Sequence, residues 1–151
     1  MLGILNQDQI NNVLLSQVMG RLACTDGKSP YIIPVTYIFE GEYLYGQSNE
    51  GTKLEIMRKN PNVCVEVDIM ANMQNWQCVL VFGTFEELKG DLSEQAREKL
   101  YSRIFTLMTS STVHKFGHGD DAVVGIDESD KVKQIMYRIK IDTVTGRFEK
   151  E

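Results

Sequence analysis

Residues 62–70, NVCVEVDIM, set Val63, Val65 and Val67 on one side of an extended chain and Glu66 and Asp68 on the other. Near the end of the chain the same arrangement returns, with Ile135, Tyr137, Ile139 and Ile141 alternating with Met136, Arg138, Lys140 and Asp142. A period of two with one apolar side belongs to half-buried strands, so the chain is committed to a sheet with a covered face. Between these segments lie further strand patterns. RLACTD runs into a turn at Asp26-Gly27, and PYIIPVTYIF into a tight turn at Glu40-Gly41; EYLYGQ follows. After a turn in ANMQN comes WQCVLVFGTFEEL, where Gly83 predicts a bulge or a close backbone approach. Pro34 cannot donate to a ladder, which puts its strand at an edge or in a bulge and opens its backbone to a ligand. A turn at Thr145-Gly146 precedes a last piece, RFEK.

Three helical patterns interleave with the strands. Asn6 to Met19 carries Ile10, Val13, Leu14 and Val18 at helical spacing, with Gly20 as its stop. GTKLEIMRKN ends at Asn60-Pro61, because proline restricts the residue before it. Asp91, in the cap position of a capping box with Glu94, opens a helix to Met108. Its stripe is Leu100, Ile104, Leu107 and Met108, widened by Tyr101 and Phe105. The following TSSTVHKFGHGDD reads as a loop. About six strands joined mostly by short turns, in 151 residues, give one domain over 1–151, α+β in class and built on a small antiparallel barrel.

Charge and composition narrow the function. Sixteen basic against 21 acidic residues leave a net charge of −5, unsuited to nucleic acid or to an acidic membrane surface. No run approaches the ~18 apolar residues of a membrane helix. The first residues, MLGILNQDQINN, lack the basic-then-apolar order of a signal peptide, so a cytoplasmic protein is expected. Cys24, Cys64 and Cys78 form no CxxC and read as buried, inert thiols. Met57, Met70, Met73, Met108 and Met136 read as core filler. His114 and His118 are four apart, but Gly117 and Gly119 interrupt any helix and no third ligand is evident, so no metal site is expected.

The passage LYGQSNEGTKLEIMRKNP is where chemistry could sit. A strand delivers Gln47, Ser48 and Asn49, Gly51 permits close approach, and Thr52 and Lys53 fall in the first turn of a helix. Free N–H groups beside a hydroxyl and an ammonium suit a phosphate. The same residues also describe a surface helix with a solvated Lys53, Arg58, Lys59 face. The GxxxxGK[ST] of a Walker loop is absent. From Gly20 to Asp68 (GRLAC, PYIIPVTY, LYGQSNEGTKLEIMRKNPNVCVEV), and again in NWQCVLVFGTFEEL and YRIKIDTVTGR, the chain resembles a known family. It is similar to the pyridoxamine 5′-phosphate oxidase-like FMN-binding split barrels, near the branch of the 5-nitroimidazole-resistance flavoproteins. The string EGxKLE followed by NPxVxV is the specific part of the likeness.

That resemblance implies a six-stranded antiparallel split β-barrel with flanking helices, a homodimer, and FMN at the dimer interface. Pro34, Val35, Thr36 and Tyr37 would run along the isoalloxazine edge with their backbone groups. Gln47, Ser48, Thr52 and Lys53 would hold ribityl or phosphate oxygens. Trp76, Gln77 and Cys78 match an aromatic-x-small segment that approaches the flavin or its phosphate. The implied activity is passage of electrons from reduced flavin to a small acceptor such as a nitro-compound or quinone, with no identifiable acid–base residue. Arg21 or Arg138 could place a cation near the pyrimidine ring. The alternatives are a non-catalytic flavin-binding module, a deazaflavin protein, and a haem-binding or haem-degrading protein that uses His114 or His118. Two departures bear on activity. Gly46-Gln47 stands where relatives often have His-Ser or His-Cys, which alters part of the phosphate contact. The chain ends GRFEKE and lacks an Arg-Leu-x-Pro ending, so strict pyridoxamine phosphate oxidase activity is not expected.

Overall fold

The computed structural model describes residues 1–108 and 134–151, excepting the side chains of Leu107 and Met108. The expectations for His114, His118 and the loop around them lie outside the described residues.

The alternating segments are strands, and they pair as neighbours. β6 (Asn62–Asn72) and β7 (Asn75–Glu87) make a long hairpin, and β7 pairs along its length with β8 (Ile135–Glu149). On one side β2 (Met19–Thr25) joins β6 and β3 (Pro30–Thr36) joins β2. On the other, β5 (Tyr43–Ser48) joins β8 and β4 (Ile38–Glu40) joins β5. The result is an 8-stranded antiparallel sheet in the order β3-β2-β6-β7-β8-β5-β4, with β1 (Leu2–Ile4) paired to the far part of β8. The two strands beyond the expected six are β1, three residues with no apolar alternation, and the second half of PYIIPVTYIF, which divides at Tyr37.

That division closes the barrel. β3 and β4 are the two edges of the sheet, yet only Tyr37 separates them in the chain. Edges linked by one residue must meet, since consecutive Cα atoms are about 3.8 Å apart, so the sheet curls. The closure is covalent: β3 pairs with β2, β4 with β5, and no ladder joins β3 to β4. A barrel closed this way is split. Tyr37 pins the corner from inside. Its N–H donates to Val18 O (2.9 Å) and its buried hydroxyl to Leu14 O (2.8 Å).

Leu22, Val65, Val67, Val79, Val81, Tyr137 and Ile139 fill the interior, and α1 (Gln7–Ser16) adds Ile10, Val13 and Leu14 to the same core. Its start is a capping box: Asn6 Oδ1 accepts from Gln9 N (2.9 Å) and Gln9 Oε1 from Asn6 N (2.8 Å). The helix stops at Ser16 and not at Met19, and Gly20 is no helix stop. It lies inside β2, where a Cβ would come 2.8 Å from Glu66 O. α2 (Thr52–Lys59) buries Leu54 and Met57. α3 (Asp91–Met108) packs Ala96 and Leu100 on Leu88 and Met136. Gly90, at φ 64°, precedes it, so Asp91 sits in the first turn instead of capping. There its charge still favours the helix dipole. Phe105 faces outward.

Gly83 marks a bulge, as its place in the strand suggests. Phe82 pairs with Thr143 and Gly83 with Ile141, leaving Asp142 as the extra residue, and a Cβ at Gly83 would lie 2.4 Å from Lys140 O. Thr145-Gly146 is not a turn; β8 runs through it opposite Leu80 and Val79. Glycine is needed there because a Cβ would press on Leu5 and Ile10 at 2.8 and 2.9 Å. Met57 and Met136 are core residues, whereas Met70 and Met73, at the β6–β7 turn, are exposed. No described helix is long and apolar enough to cross a membrane.

Candidate functional site

β4 is short, and its shortness creates the site. It pairs Ile38–Glu40 with Tyr45–Tyr43, while β5 continues to Ser48. Carried back along β5, the chain before Ile38 would cover residues 46–48, but at Tyr37 it turns away and pairs with β2 instead. The free edge of β3 and the free edge at Gly46–Ser48 therefore face one another across a seam. An open cleft of about 560 Å³ occupies it, lined by Tyr31, Ile33 and Pro34 on one side and Gln47, Ser48, Thr52 and Lys53 on the other. That volume suits a small organic molecule. Pro34 has the edge position that its missing N–H predicts.

The floor of the cleft favours an anion. Gly51 precedes α2 and brings no side chain to cap it, so among the described residues no side-chain cap reaches the first N–H groups of the helix. Their positive pole points outward from the helix start. Lys53 is half-buried, and burial pulls its pKa below the ordinary lysine value, with nearby Cys24 opposing slightly. Among the described residues no hydrogen bond or ion pair reaches its ammonium. Arg58, from the same helix, is different. Glu50 clamps it with both oxygens (2.8 and 2.8 Å) and Glu87 adds a third contact (2.6 Å). Lys53 is thus not one member of a solvated basic face.

The walls supply complementary groups. Ser48 is buried, and its hydroxyl donates to Asn49 O (2.8 Å), leaving oxygen lone pairs to accept. Gln47 Oε1 is buried with no partner among the described residues, a deficit of about 1–3 kcal/mol. A polyhydroxylated chain ending in phosphate would bring a donor for Gln47 and an anion for Lys53 and the α2 N-terminus. The residues present fit such a group.

Other expected site residues lie elsewhere. Val35 and Tyr37 bury their side chains, and Thr36 pairs with Met19, so this strand meets the seam with its backbone edge. Trp76 and Gln77 follow Asn75 at the start of β7 and line a separate hollow of about 290 Å³. The Trp76 indole donates to Glu149 Oε2 (3.1 Å). Cys78 Sγ donates to Glu66 Oε1 (3.5 Å), and burial together with Glu66 pushes its pKa up to about 11. Burial also raises Cys24 and Cys64, so all three free thiols are held protonated; Cys24 is buried and the other two half-buried. Within one chain the fold gathers Pro34, Gln47, Ser48, Thr52 and Lys53, and does not bring Trp76, Gln77 and Cys78 to them. Arg21 is engaged by Asp68 (2.7 Å) and Glu66 (3.5 Å). Arg138 is engaged by Glu86 (2.8 Å) and lies over the Tyr43 ring (4.2 Å). Among the described residues no cluster of His, Cys, Asp and Glu could hold a metal. Sequence reasoning missed Tyr31 and Ile33, although both share a face with Val35 in PYIIPVT.

The chain is thus a split antiparallel β-barrel with an open cleft in its seam that holds a half-buried lysine at a helix start. Residues 6–148 match the family described as pyridoxamine 5′-phosphate oxidase, and the chain belongs to that family. An uncharacterized protein of Rhizobium meliloti (strain 1021) is 34% identical over 85 residues, which are 56% of this chain and 56% of that protein. The match thus spans little more than half the length of that curated relative. Among solved structures, an FAD-binding protein of Mesorhizobium loti is 28% identical over 98% of both chains, with a TM-score of 0.76. A candidate 5-nitroimidazole antibiotic resistance protein of Bacteroides thetaiotaomicron shares the fold at 19% identity, covering 98% of this chain and 87% of that one, with a TM-score of 0.68.

Proposed function

We propose that this chain binds a flavin in the seam through a ribityl phosphate, the part that FMN supplies, and passes its electrons to a small acceptor such as a nitro-compound or quinone. The observation that carries this reading is Lys53: a half-buried ammonium without a described partner, at an uncapped helix start, between two unpaired strand edges. A cation withdrawn from water without a counter-charge is costly, and an anionic ligand offsets that cost. The likeness to an FAD-binding protein at 28% identity supports a flavin as that ligand.

When bound, the flavin supplies the redox chemistry, and the protein supplies binding and orientation. Lys53, Thr52 and the first N–H groups of α2 hold the phosphate. Ser48 and Gln47 accept from ribityl hydroxyls. The free backbone edge of Pro34, Val35 and Thr36 runs along the polar edge of the ring, and Tyr37 positions that edge by pinning its end to α1. Trp76 and Gln77 line a different hollow and Cys78 follows them in β7, so in this reading all three come from a second copy, in a homodimer with the cofactor at its interface. The outer sheet face offers a contact for that copy. Ile32, Ala23, Cys64 and Phe82 stand in one register row across four strands, with Ile32 67% and Phe82 43% exposed. The cytoplasm, where free thiols persist, is the fitting compartment.

Reconstitution tests the reading. Flavin bands near ~450 nm, and FMN bound more tightly than riboflavin, are expected; a Soret band near ~400 nm would identify a haem protein instead. Neither band after reconstitution overturns the assignment. Steady reduction of a nitro-compound or quinone by NAD(P)H separates an oxidoreductase from a flavin-binding module, and a light-scattering mass of two chains tests the dimer.

A further inference from the structure

Gln134 precedes β8 and lines the seam cleft together with Gln47. The register places this wall of the cleft. Gln47 of β5 stands opposite Met136 of β8, and opposed residues share a face. Met136 packs on Ala96 and Leu100 of α3, and Tyr45, two residues before Gln47, packs on the same cluster. This face of β5 and β8 is the one that α3 covers, and Gln47 carries it into the cleft. Gln134 is held by the same helix. Its backbone carbonyl accepts from Arg97 Nη2 (3.3 Å) and its side-chain Oε1 from the Tyr101 hydroxyl (2.9 Å). Arg97 and Tyr101 are four residues apart in α3, so one face of the helix holds Gln134 at two points.

The two carboxamides are complementary, yet no hydrogen bond joins them. A glutamine carries one acceptor oxygen and two N–H donors. Gln47 Oε1 is buried with no partner among the described residues. On Gln134 the Oε1 is taken by Tyr101, and among the described residues its Nε2 donates to nothing. A single group that donates to the first and accepts from the second satisfies both. A hydroxyl does so, whereas a fully ionised phosphate has no proton to give.

Resting on the flavin reading, we infer that Gln134 is a further contact to the ribityl chain, one hydroxyl of which bridges Gln47 Oε1 and Gln134 Nε2, and that Tyr101 is a positioning residue holding the Gln134 carboxamide from α3. Full-length protein freed of nucleotide is titrated at pH 8 with riboflavin and FMN, following flavin fluorescence. Gln134→Ala is expected to weaken both by the same factor, roughly 2- to 12-fold, the worth of one neutral hydrogen bond, because both carry the hydroxylated chain. Gln134→Glu keeps an acceptor for Tyr101 and loses both donors, so riboflavin, which is uncharged, weakens as it does in Gln134→Ala. Tyr101→Phe weakens both flavins by a smaller factor, and in the Gln134→Ala background it changes nothing further, the coupling that a double-mutant cycle reads. A loss confined to FMN, no loss in Gln134→Ala, or riboflavin affinity kept in Gln134→Glu would each overturn the contact while leaving a flavin site in place. Losses in Tyr101→Phe that add fully to those of Gln134→Ala would overturn the positioning role. Failure of both flavins to bind wild type would remove the flavin reading itself, and this inference with it.

Discussion

Replacing Lys53 with methionine keeps an unbranched apolar stem in the cleft and deletes the charge. A hydrogen bond to a charged group is worth about 1.5–3 kcal/mol, and about 1.4 kcal/mol is tenfold in affinity. FMN should therefore bind Lys53→Met roughly 10- to 150-fold more weakly, while riboflavin, which has no phosphate, changes by less than about threefold. The ligand-free protein should respond in the opposite sense. Burial lowers the Lys53 pKa, so the unfolded chain binds its proton more tightly. Between the lowered value and the ordinary lysine value the unfolded state carries more protons, and stability rises with pH through that window. Below the window the buried charge is a net cost, so at neutral pH Lys53→Met leaves the urea midpoint unchanged or higher. By the same sign, FMN affinity falls as pH climbs through the lowered Lys53 pKa. It also falls at the acid end, where the phosphate loses its second ionisation near pH ~6. Isothermal titration with both flavins and urea unfolding without them measure all of this. Equal losses for FMN and riboflavin, or a lower midpoint for the ligand-free variant, would refute the reasoning, the second by showing that the ammonium already has a partner.

Tyr37→Phe removes the donor to Leu14 O at the corner where the barrel closes, and should lower the unfolding free energy by about 1–3 kcal/mol with the urea m-value unchanged. Gly83→Ala drives a Cβ against the Lys140 carbonyl and should cost about 1–3 kcal/mol or more in the same assay. Gly51→Ala meets nothing and should stay within about 0.5 kcal/mol of wild type. Cys78, with its thiol pushed up to about 11, should react with iodoacetamide at pH 8 more than about tenfold more slowly than an unperturbed thiol. Glu66→Gln, which removes the main charge facing it, should speed that reaction; equal rates in peptide mass mapping would refute this cause.

Strand identity was legible wherever side chains alternate, because the covered face selects them: Val63, Val65 and Val67 in one strand, and Tyr137 and Ile139 in another, are buried as their spacing requires. Single glycines were harder to read. Gly20 and Gly146 look like punctuation in sequence, but both are sites of close approach inside strands, set by atoms of β6 for the first and of Leu5 and Ile10 for the second, all distant in the chain. The division of PYIIPVTYIF at Tyr37 was not legible either, since an inward tyrosine and an ordinary strand residue look alike until the hydroxyl finds Leu14 O. At the site, the strand-to-helix passage was readable as local chemistry, and the structure gathers Gln47, Ser48, Thr52 and Lys53 as that chemistry suggests. What separates Lys53 from Arg58 is invisible in the string of letters, because it depends on Glu87, brought in from the end of β7.

The seam accounts for both the shape of the barrel and the position of the cleft. Had the chain continued along β5, residues 46–48 would be covered by backbone and the sheet would close with a full ladder. Instead the seven residues before Tyr37 pair with β2, the chain crosses to β5 only after it, and two short lengths of edge are left without a ladder among the described residues. Open strand edges are templates for further pairing, and proteins cover or charge them. Here one edge carries Pro34, which removes a donor, and the other runs directly into the helix start that bears Lys53. A third strand could satisfy the backbone of this seam but not the ammonium at its end. A flat ligand with hydrogen-bonding groups along one side and an anionic tail would satisfy both, so the missing ladder and a cation unpartnered among the described residues support the same proposed class of cofactor.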